Sequence, residues 1–497
     1  EILMNFIKLP AFVEKFMIYG LVYCTIVFLK MLTIVPLRFT IHCCSFARSL
    51  FNNNTKAAAE KQSVLIKFIR LKNDLITVLL TVATLWLLQG MDSSRIYHNI
   101  RAGTAVKLYF MVGALEIADK LLSAVGQDLI KIIYNIKLHN VRSEVLSLNY
   151  KQLSTCIVVF AITVVYLSVH SHVLVYQVMA LNVAINSYSN ALLTLILSNQ
   201  FAELKGAVFK KSEREGLFQI TCADLNERFH VLLILFIISS RNLFQLYATG
   251  SSGSNLFNSL KPNSWYSQIT FSQTMNDWIG FLMGPMFIVI GSEVLVDWLK
   301  HAYITKFNRI KPQIYNRYMR VLATDYITSV KANFYNSQSD TESEEHPEML
   351  LRRTGLPIIT IIVIFIKMAI HPWLKYFLYD TDSGNFSIIG ALLVLLSFGL
   401  IIFLRLILSL ILIQWSNRIL RSGITKPLND YVKGNPNVSL TDVNGPSVRK
   451  LFYDKDEPIP PSLEEIRINK VLSKADGATG DHLDSVVRFD MADKRIW

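Results

Sequence analysis

Charged side chains are scarce in this sequence. Asp, Glu, Lys and Arg make up 18% of the 497 residues, whereas soluble domains average roughly 25%. A soluble chain of this length would divide into about two or three domains with charged surfaces. Here the apolar residues, 52% of the total, are gathered into long runs, and the mean hydropathy is +0.36. We therefore predict that the solvent of this protein is the lipid bilayer.

Sequence patterns that carry chemistry are missing as well. The five cysteines form no CxxC pair, which argues against a zinc site or a disulfide framework. The sequence contains no GxSxG, HExxH or Walker lysine loop. We predict no catalytic residue, no metal and no cofactor. A membrane enzyme is the least favoured class, because no nucleophile can be named for it.

What the sequence has in excess is positive charge, and this charge is concentrated in loops. The formal net charge is +13. The basic residues lie between apolar runs and form no single amphipathic face, so nucleic-acid binding is not expected. Residues 37–73 and 300–356 are rich in Lys and Arg, while 250–276 and 379–387 hold almost none. The positive-inside rule places the first pair in the cytosol and the second pair in the lumen.

Runs of about 20 apolar residues predict nine membrane spans. The least certain is Val106–Val125, which carries several charges. It is included because 37–73 and 202–228 are both predicted to be cytosolic, so an even number of crossings must separate them. The predicted spans are Phe16–Pro36, Asp74–Met91, Val106–Val125, Ser154–Tyr176, Gln177–Leu197, Phe229–Tyr247, Trp278–Trp298, Pro357–Phe377 and Ile388–Gln414.

The predicted fold class is all-α, a polytopic membrane bundle of eight or nine transmembrane helices. Residues 1–427 form the bundle, with cytosolic loops at 37–73, 202–228 and 300–356. Residues 428–497 form a short polar tail, and the C-terminus is cytosolic. Asn385 opens an Asn-Phe-Ser sequon in a lumenal loop, where we predict glycosylation.

Charged residues inside predicted spans are candidate functional sites, because each costs about 2.5–3.5 kcal/mol at the bilayer centre. One interpretation is that they pair with one another and hold helices together. The alternative is that they line a path for an ion, a proton or a lipid. Sequence alone leaves both open, although pairing is favoured for the acidic residues. The candidates are Glu116, Asp119, Arg241, Glu293, Asp297, Lys367 and Arg405.

Three stretches of the sequence are more informative than its overall composition. They are YHNIRAGTAVKLYFMVGALEIADKLLSAVGQDL from Tyr97, ALLTLILSNQFAELKGAVFKKSEREGLFQITCADLNERF from Ala191, and GSEVLVDWLKHAYITKFNRIKPQIYNRY from Gly291. These stretches resemble the transmembrane anterior-posterior transformation family, whose fungal members are membrane proteins of the endoplasmic reticulum. The resemblance extends over most of the membrane portion of the chain. It brings no catalytic residue with it.

The resemblance implies a multi-pass protein of the endoplasmic reticulum membrane. It also implies a partner, a membrane glycoprotein with a SUN-like domain, and a role in folding or protecting newly made client proteins. Our first hypothesis is thus a non-enzymatic scaffold that contacts this glycoprotein, its clients and membrane lipids. The second hypothesis is a transporter, channel or lipid-moving protein that uses the intramembrane charges. The two differ in whether those charges pair or line one cavity.

Overall fold

A computed structural model describes residues 2–51, 72–136, 150–186, 204, 206, 214–248, 275–308, 310–338, 353–378 and 388–422. All regular structure within these residues is helical, which confirms the all-α prediction. The helices are α1 Ile2–Leu29, α2 Val35–Phe51, α3 Lys72–Leu87, α4 Ser93–Arg101, α5 Ala105–Asn135, α6 Tyr150–Asn186, α7 Arg214–Ala248, α8 Met275–Phe307, α9 Ile314–Gln338, α10 Ile358–Phe365, α11 His371–Leu378 and α12 Ile388–Arg421.

Five helical segments of the described chain are long and apolar enough to cross a membrane, and each overlaps a predicted span. Two more predicted spans, Phe229–Tyr247 and Trp278–Trp298, lie within α7 and α8. The chain is therefore a polytopic helical membrane protein. The five segments are Ile7–Ser45, Asn73–Gly90, Ser154–Ile185, Ile358–Leu378 and Ile388–Arg421.

One predicted boundary is wrong. Helix α6 runs unbroken from Tyr150 to Asn186, so the chain does not turn between Tyr176 and Gln177. The sequence of α6 contains neither glycine nor proline, so it has no residue that commonly ends a helix. With 37 residues, α6 is about 55 Å long, more than the hydrocarbon core of a bilayer.

Helices α1 and α2 form one continuous rod, joined by a π-helical turn at Lys30–Ile34. A straight helix advances about 35 Å between Glu14 and Leu37, roughly the thickness of the hydrocarbon core. Glu14 contacts Arg228 of α7 at 2.8 Å. The cytosolic assignments of 37–73 and 202–228, and with them the crossing Val106–Val125, stay predictions.

The core of the bundle is built around α1, which contacts α7, α8, α9 and α12. Aromatic side chains of α1 are buried there and meet neighbours edge to face, an arrangement that aromatic pairs favour. Tyr19 packs against Trp415 and Tyr23 against Tyr326, with ring centroids 5.2 and 4.9 Å apart. The Tyr19 hydroxyl also lies 2.7 Å from Ser416 Oγ of α12. The Tyr19 hydroxyl thus keeps a polar partner inside an apolar core.

The predicted cytosolic loop 300–356 contains a helix that belongs to this core. Helix α9 packs against both α1 and α12. Tyr315 and Tyr318 are fully buried, and the Tyr326 hydroxyl lies 2.9 Å from Ser409 Oγ. Part of the charged segment before Phe229 is also helical, because α7 begins at Arg214. Polar sequence in this protein is therefore not confined to irregular loops.

The contact between α5 and α6 yields the first prediction. A Cβ atom on Gly126 would collide with the Tyr166 hydroxyl, which donates to the Leu122 carbonyl at 2.6 Å. We expect Gly126→Ala to lower the stability by about 1–3 kcal/mol, as overpacking does, measured by thermal unfolding in detergent. Gly113→Ala on the same helix is the control, since nothing lies within 4 Å of its added methyl group. Equal melting of the two variants would contradict the packing described.

Candidate functional site, a buried cluster of paired charges

Helices α7 and α8 bring charged residues together where each helix changes from apolar to polar sequence. Asp224 and Arg228 are four residues apart on α7, just before its apolar half. Residues this far apart share one helix face. Asp297, Lys300 and His301 follow the apolar half of α8. The two helices run antiparallel, so that Arg228 meets Asp297 and Asp224 meets Lys300.

Arg228 links three helices. Its Nε donates to Asp297 Oδ2 at 2.6 Å and its Nη1 donates to Glu14 Oε1 of α1 at 2.8 Å. The same Glu14 oxygen accepts a hydrogen bond from Trp298 Nε1 at 2.7 Å. Arg228 and Asp297 are each only about 5% exposed. The Nη2 group of Arg228 is buried and has no partner among the described residues, whereas its other donors face carboxylates.

A second set of contacts lies next to the first. Lys300 Nζ donates to Asp224 Oδ1 at 2.6 Å, and His301 Nε2 lies 2.9 Å from Asp224 Oδ2. The Tyr315 hydroxyl is 2.9 Å from His301 Nδ1. These side chains are buried to the same degree as Arg228. We call Glu14, Asp224, Arg228, Asp297, Lys300 and His301 the charge cluster.

Pairing governs the ionisation of the charge cluster. Burial alone would raise the pKa of Asp224, but the hydrogen bond with His301 and the charge of Lys300 outweigh it and lower that pKa below its usual value. Burial raises the pKa of the Tyr315 phenol well above its usual value. Asp224 is therefore an anion and Tyr315 a neutral hydroxyl. The three carboxylates face Arg228 and Lys300, so the cluster becomes neutral when it holds one further proton.

A separate polar group joins α5, α6, α7 and α10. His170 Nε2 lies 2.8 Å from Asp119 Oδ1, and His230 Nδ1 lies 3.6 Å from the other oxygen of Asp119. The Tyr166 hydroxyl donates to the Leu122 carbonyl at 2.6 Å and lies 2.9 Å from His170 Nδ1. The Thr360 hydroxyl of α10 lies 3.4 Å from the same nitrogen.

Further ion pairs tie the polar ends of helices together. Lys120 of α5 lies 3.3 Å from Glu116 and 2.9 Å from Glu227 of α7. Arg353 holds Asp325 of α9 with two donors, at 2.6 and 3.4 Å. The guanidinium of Arg353 also lies over the ring of Phe218. The Lys120–Glu227 pair connects α5 to α7, and the Arg353–Asp325 pair connects the segment before α10 to α9.

Several of the predicted site residues have a charged or polar partner in the structure. Glu116 contacts Lys120, Asp119 contacts His170, and Asp297 contacts Arg228. Arg241 donates to the Met179 thioether at 3.2 Å. Three further candidates are half-buried: Glu293 on α8, Lys367 on the π-helical turn after α10, and Arg405 on α12. Asn385 lies outside the described residues, and its glycosylation stays a prediction.

An apolar cavity between α6, α7 and α10 has His230 as its polar lining residue, and none of the seven predicted residues lines it. His170 and His172 lie inside α6. His172 Nδ1 contacts the Ser168 carbonyl at 2.7 Å. Within the described residues, no group of three or more potential ligands is placed to hold a metal ion.

Sequence reasoning missed the partners that complete the charge cluster. In the sequence, Asp224 and Arg228 fall in the predicted cytosolic loop 202–228 and Lys300 in the loop 300–356. Glu14 was not considered at all. The available signal was the complementary order of charges, acid then base on α7 and the same order on α8. Antiparallel packing of two such helices opposes unlike charges.

This architecture defines a polytopic helical membrane protein whose buried charges are met by partners within the bundle. Residues 69–421 match the model of a eukaryotic membrane protein family, DUF747. The chain belongs to this family. No solved structure matches it.

Named relatives come from fungi and animals. Endoplasmic reticulum membrane protein 65 of Saccharomyces cerevisiae is 34% identical, in an alignment covering 100% of this chain and 87% of the relative. The protein of the same name from Schizosaccharomyces pombe is 37% identical over 74% of this chain and 53% of its own length. The human transmembrane anterior posterior transformation protein 1 homolog is 30% identical over 73% and 56%. The chain thus spans about half the length of the last two relatives.

We expect replacement of one member of the Arg228–Asp297 pair to destabilise the protein more than replacement of both. Arg228→Leu leaves Asp297 and Glu14 buried without their cation, which should cost about 3–5 kcal/mol. Replacing both partners, in Arg228→Leu with Asp297→Leu, should recover part of that loss. Thermal unfolding in detergent measures the difference, and Arg320→Gln, an exposed site on α9, is the control. Additive losses in the double variant would contradict the pairing.

Asp224 makes the stability depend on pH in a defined direction. Because its pKa is lower in the folded than in the unfolded protein, its contribution is present above the unfolded pKa of about 3.9 and is lost as the pH falls further. Asp224→Asn should therefore lower the melting temperature at pH 7, and its difference from the wild type should shrink below about pH 4. Asp92→Asn, an exposed helix cap, should match the wild type throughout. A difference for Asp224→Asn that grows on acidification would overturn the assignment.

Proposed function

We propose that this protein is a non-enzymatic scaffold of the endoplasmic reticulum membrane. It partners a membrane glycoprotein with a SUN-like domain and supports the folding or protection of newly made proteins. The observation that carries the proposal is the closure of the charge cluster, in which Arg228 meets two carboxylates and Asp224 meets Lys300 and His301. Charges used in this way hold helices together.

The location in the endoplasmic reticulum is supported by the fungal relatives, both of which carry that compartment in their names. The partner is supported by the resemblance of the three sequence stretches to the transmembrane anterior-posterior transformation family. The predicted lumenal loops 250–276 and 379–387 are short, so lumenal work is best delegated to an anchored partner. We place the C-terminus in the cytosol in the proposed complex.

The transporter alternative gains less from the geometry. A conducting or carrying protein needs polar residues along a water-accessible path. Asp119 instead lies 2.8 Å from His170, and Asp297 lies 2.6 Å from Arg228. The cavity beside His230 is lined by aliphatic side chains apart from that histidine. These contacts favour a static role for the charges.

Co-purification separates the two functions. The tagged full chain, purified in mild detergent from its own host, should recover a SUN-domain glycoprotein in near-stoichiometric amount. A scaffold needs the packing of the bundle and not the charges themselves. Partner recovery should therefore fall with Arg228→Leu and return with the Arg228→Leu, Asp297→Leu double variant.

Two outcomes would contradict the scaffold proposal. One is failure to recover a SUN-domain protein with the wild-type chain at normal expression. The other is flux or lipid scrambling by the purified chain in proteoliposomes that is lost in the Arg228→Leu, Asp297→Leu variant while that variant stays folded. Arg320→Gln is again the matched control and should behave as the wild type in both assays.

A further inference from the structure

Arg241 differs from Arg228 although both belong to α7. It lies about 20 Å further along the helix, at the opposite end of the apolar half. Its Nη1 donates to the Met179 sulfur at 3.2 Å, and a thioether is a weak acceptor. No carboxylate of the described residues pairs with Arg241. Within the described residues, the half-buried guanidinium of Arg241 therefore has no carboxylate at ion-pair distance, in contrast to Arg228.

The short helix α4 lies at the same end of the bundle. Asp92 and Tyr97 are within electrostatic reach of Arg241, and α4 packs against α6, which carries Met179. Helix α4 is amphipathic. Ile96 and Ile100 are buried while Arg95 and Arg101 face outward.

Asp92 is the acidic residue that the described residues place near α4 and Arg241. Asp92 accepts a hydrogen bond from Ser94 N at 3.0 Å and so caps α4. Its contact with Arg95 is long, at 4.0 Å, and the Arg95 side chain is 87% exposed. Arg241, Arg95 and Arg101 therefore outnumber the acid beside them among the described residues. This end carries a local positive charge.

The surroundings of this patch are those of a membrane interface. Trp86 at the end of α3 is 72% exposed, and Val106 and Phe110 at the start of α5 are 75% and 76% exposed. Exposed aromatic and aliphatic side chains on both sides of a basic amphipathic helix are typical of the headgroup level. Trp373 Nε1 donates to Ser240 Oγ at 3.1 Å, next to Arg241. The missing counterion is thus expected from the lipid.

We propose that Arg241, together with Arg95 and Arg101 of α4, binds the phosphate-bearing headgroup of an anionic phospholipid. A guanidinium presents forked donors that match phosphate oxygens. Lipid phosphate also neutralises a half-buried cation at this depth without a protein carboxylate. A soluble phosphate ester offers the same oxygens, but it cannot contact the exposed apolar side chains of α3 and α5.

The test uses the purified full chain in detergent, with lipids added at defined ratios. Native mass spectrometry should show phosphatidylserine or phosphatidylinositol bound at least fivefold more tightly than phosphatidylcholine. Arg241→Gln should reduce this preference at least fivefold. Arg95→Gln with Arg101→Gln, which changes exposed side chains only, should weaken it too and keeps the test valid if Arg241→Gln fails to fold. Arg320→Gln on α9 should leave the preference unchanged.

Three results would overturn the proposal. The first is equal binding of anionic and zwitterionic lipids by the wild type. The second is an unchanged preference in the Arg95→Gln, Arg101→Gln variant and in folded Arg241→Gln. The third is binding of glycerophosphoserine or inorganic phosphate as tight as binding of the whole lipid, since this would assign the site to a soluble anion.

Discussion

A charge inside a low-dielectric bundle needs a counter-charge close by, and Arg228 finds its counter-charges within the bundle. One guanidinium joins α1, α7 and α8 by donating to Glu14 and Asp297. The loss of both carboxylates would leave a buried cation that bears the full cost of its desolvation. Asp224, one helical turn from Arg228, is paired in the same way with Lys300 and His301. The relative placement of three helices follows from these contacts as much as from apolar packing.

Such pairing favours specificity of assembly over raw stability. Apolar surface is interchangeable within a membrane, because lipid tails solvate a leucine as well as another helix does. Unlike charges at fixed spacings are not interchangeable, so they define which helices meet and in what register. The aromatic contacts of Tyr19 and Tyr23 then fill the space between α1, α9 and α12. A scaffold that must present one surface to a partner is well served by this combination.

The sequence predicted the helical class and most spans because long apolar runs have few other interpretations. It could not predict that α6 continues past Tyr176, since the length of an apolar run does not reveal where a chain reverses. It likewise could not show that α9 enters the core, because tyrosines such as Tyr315 and Tyr318 are compatible with either burial or exposure. The sequence singles out Asp119 and Asp297 as costly residues because they lie in predicted spans. Their partners His170 and Arg228 depend on which helices are neighbours, and a single sequence does not contain that information.

The central claim is that the charge cluster is a closed structural joint. The most direct measurement is a cryo-EM map of the chain, purified with its native partner, at a resolution that shows ordered water. The account predicts Arg228 between Glu14 and Asp297, Lys300 on Asp224, and at most isolated waters in the cluster. A continuous column of water through the cluster to both faces of the membrane would contradict it.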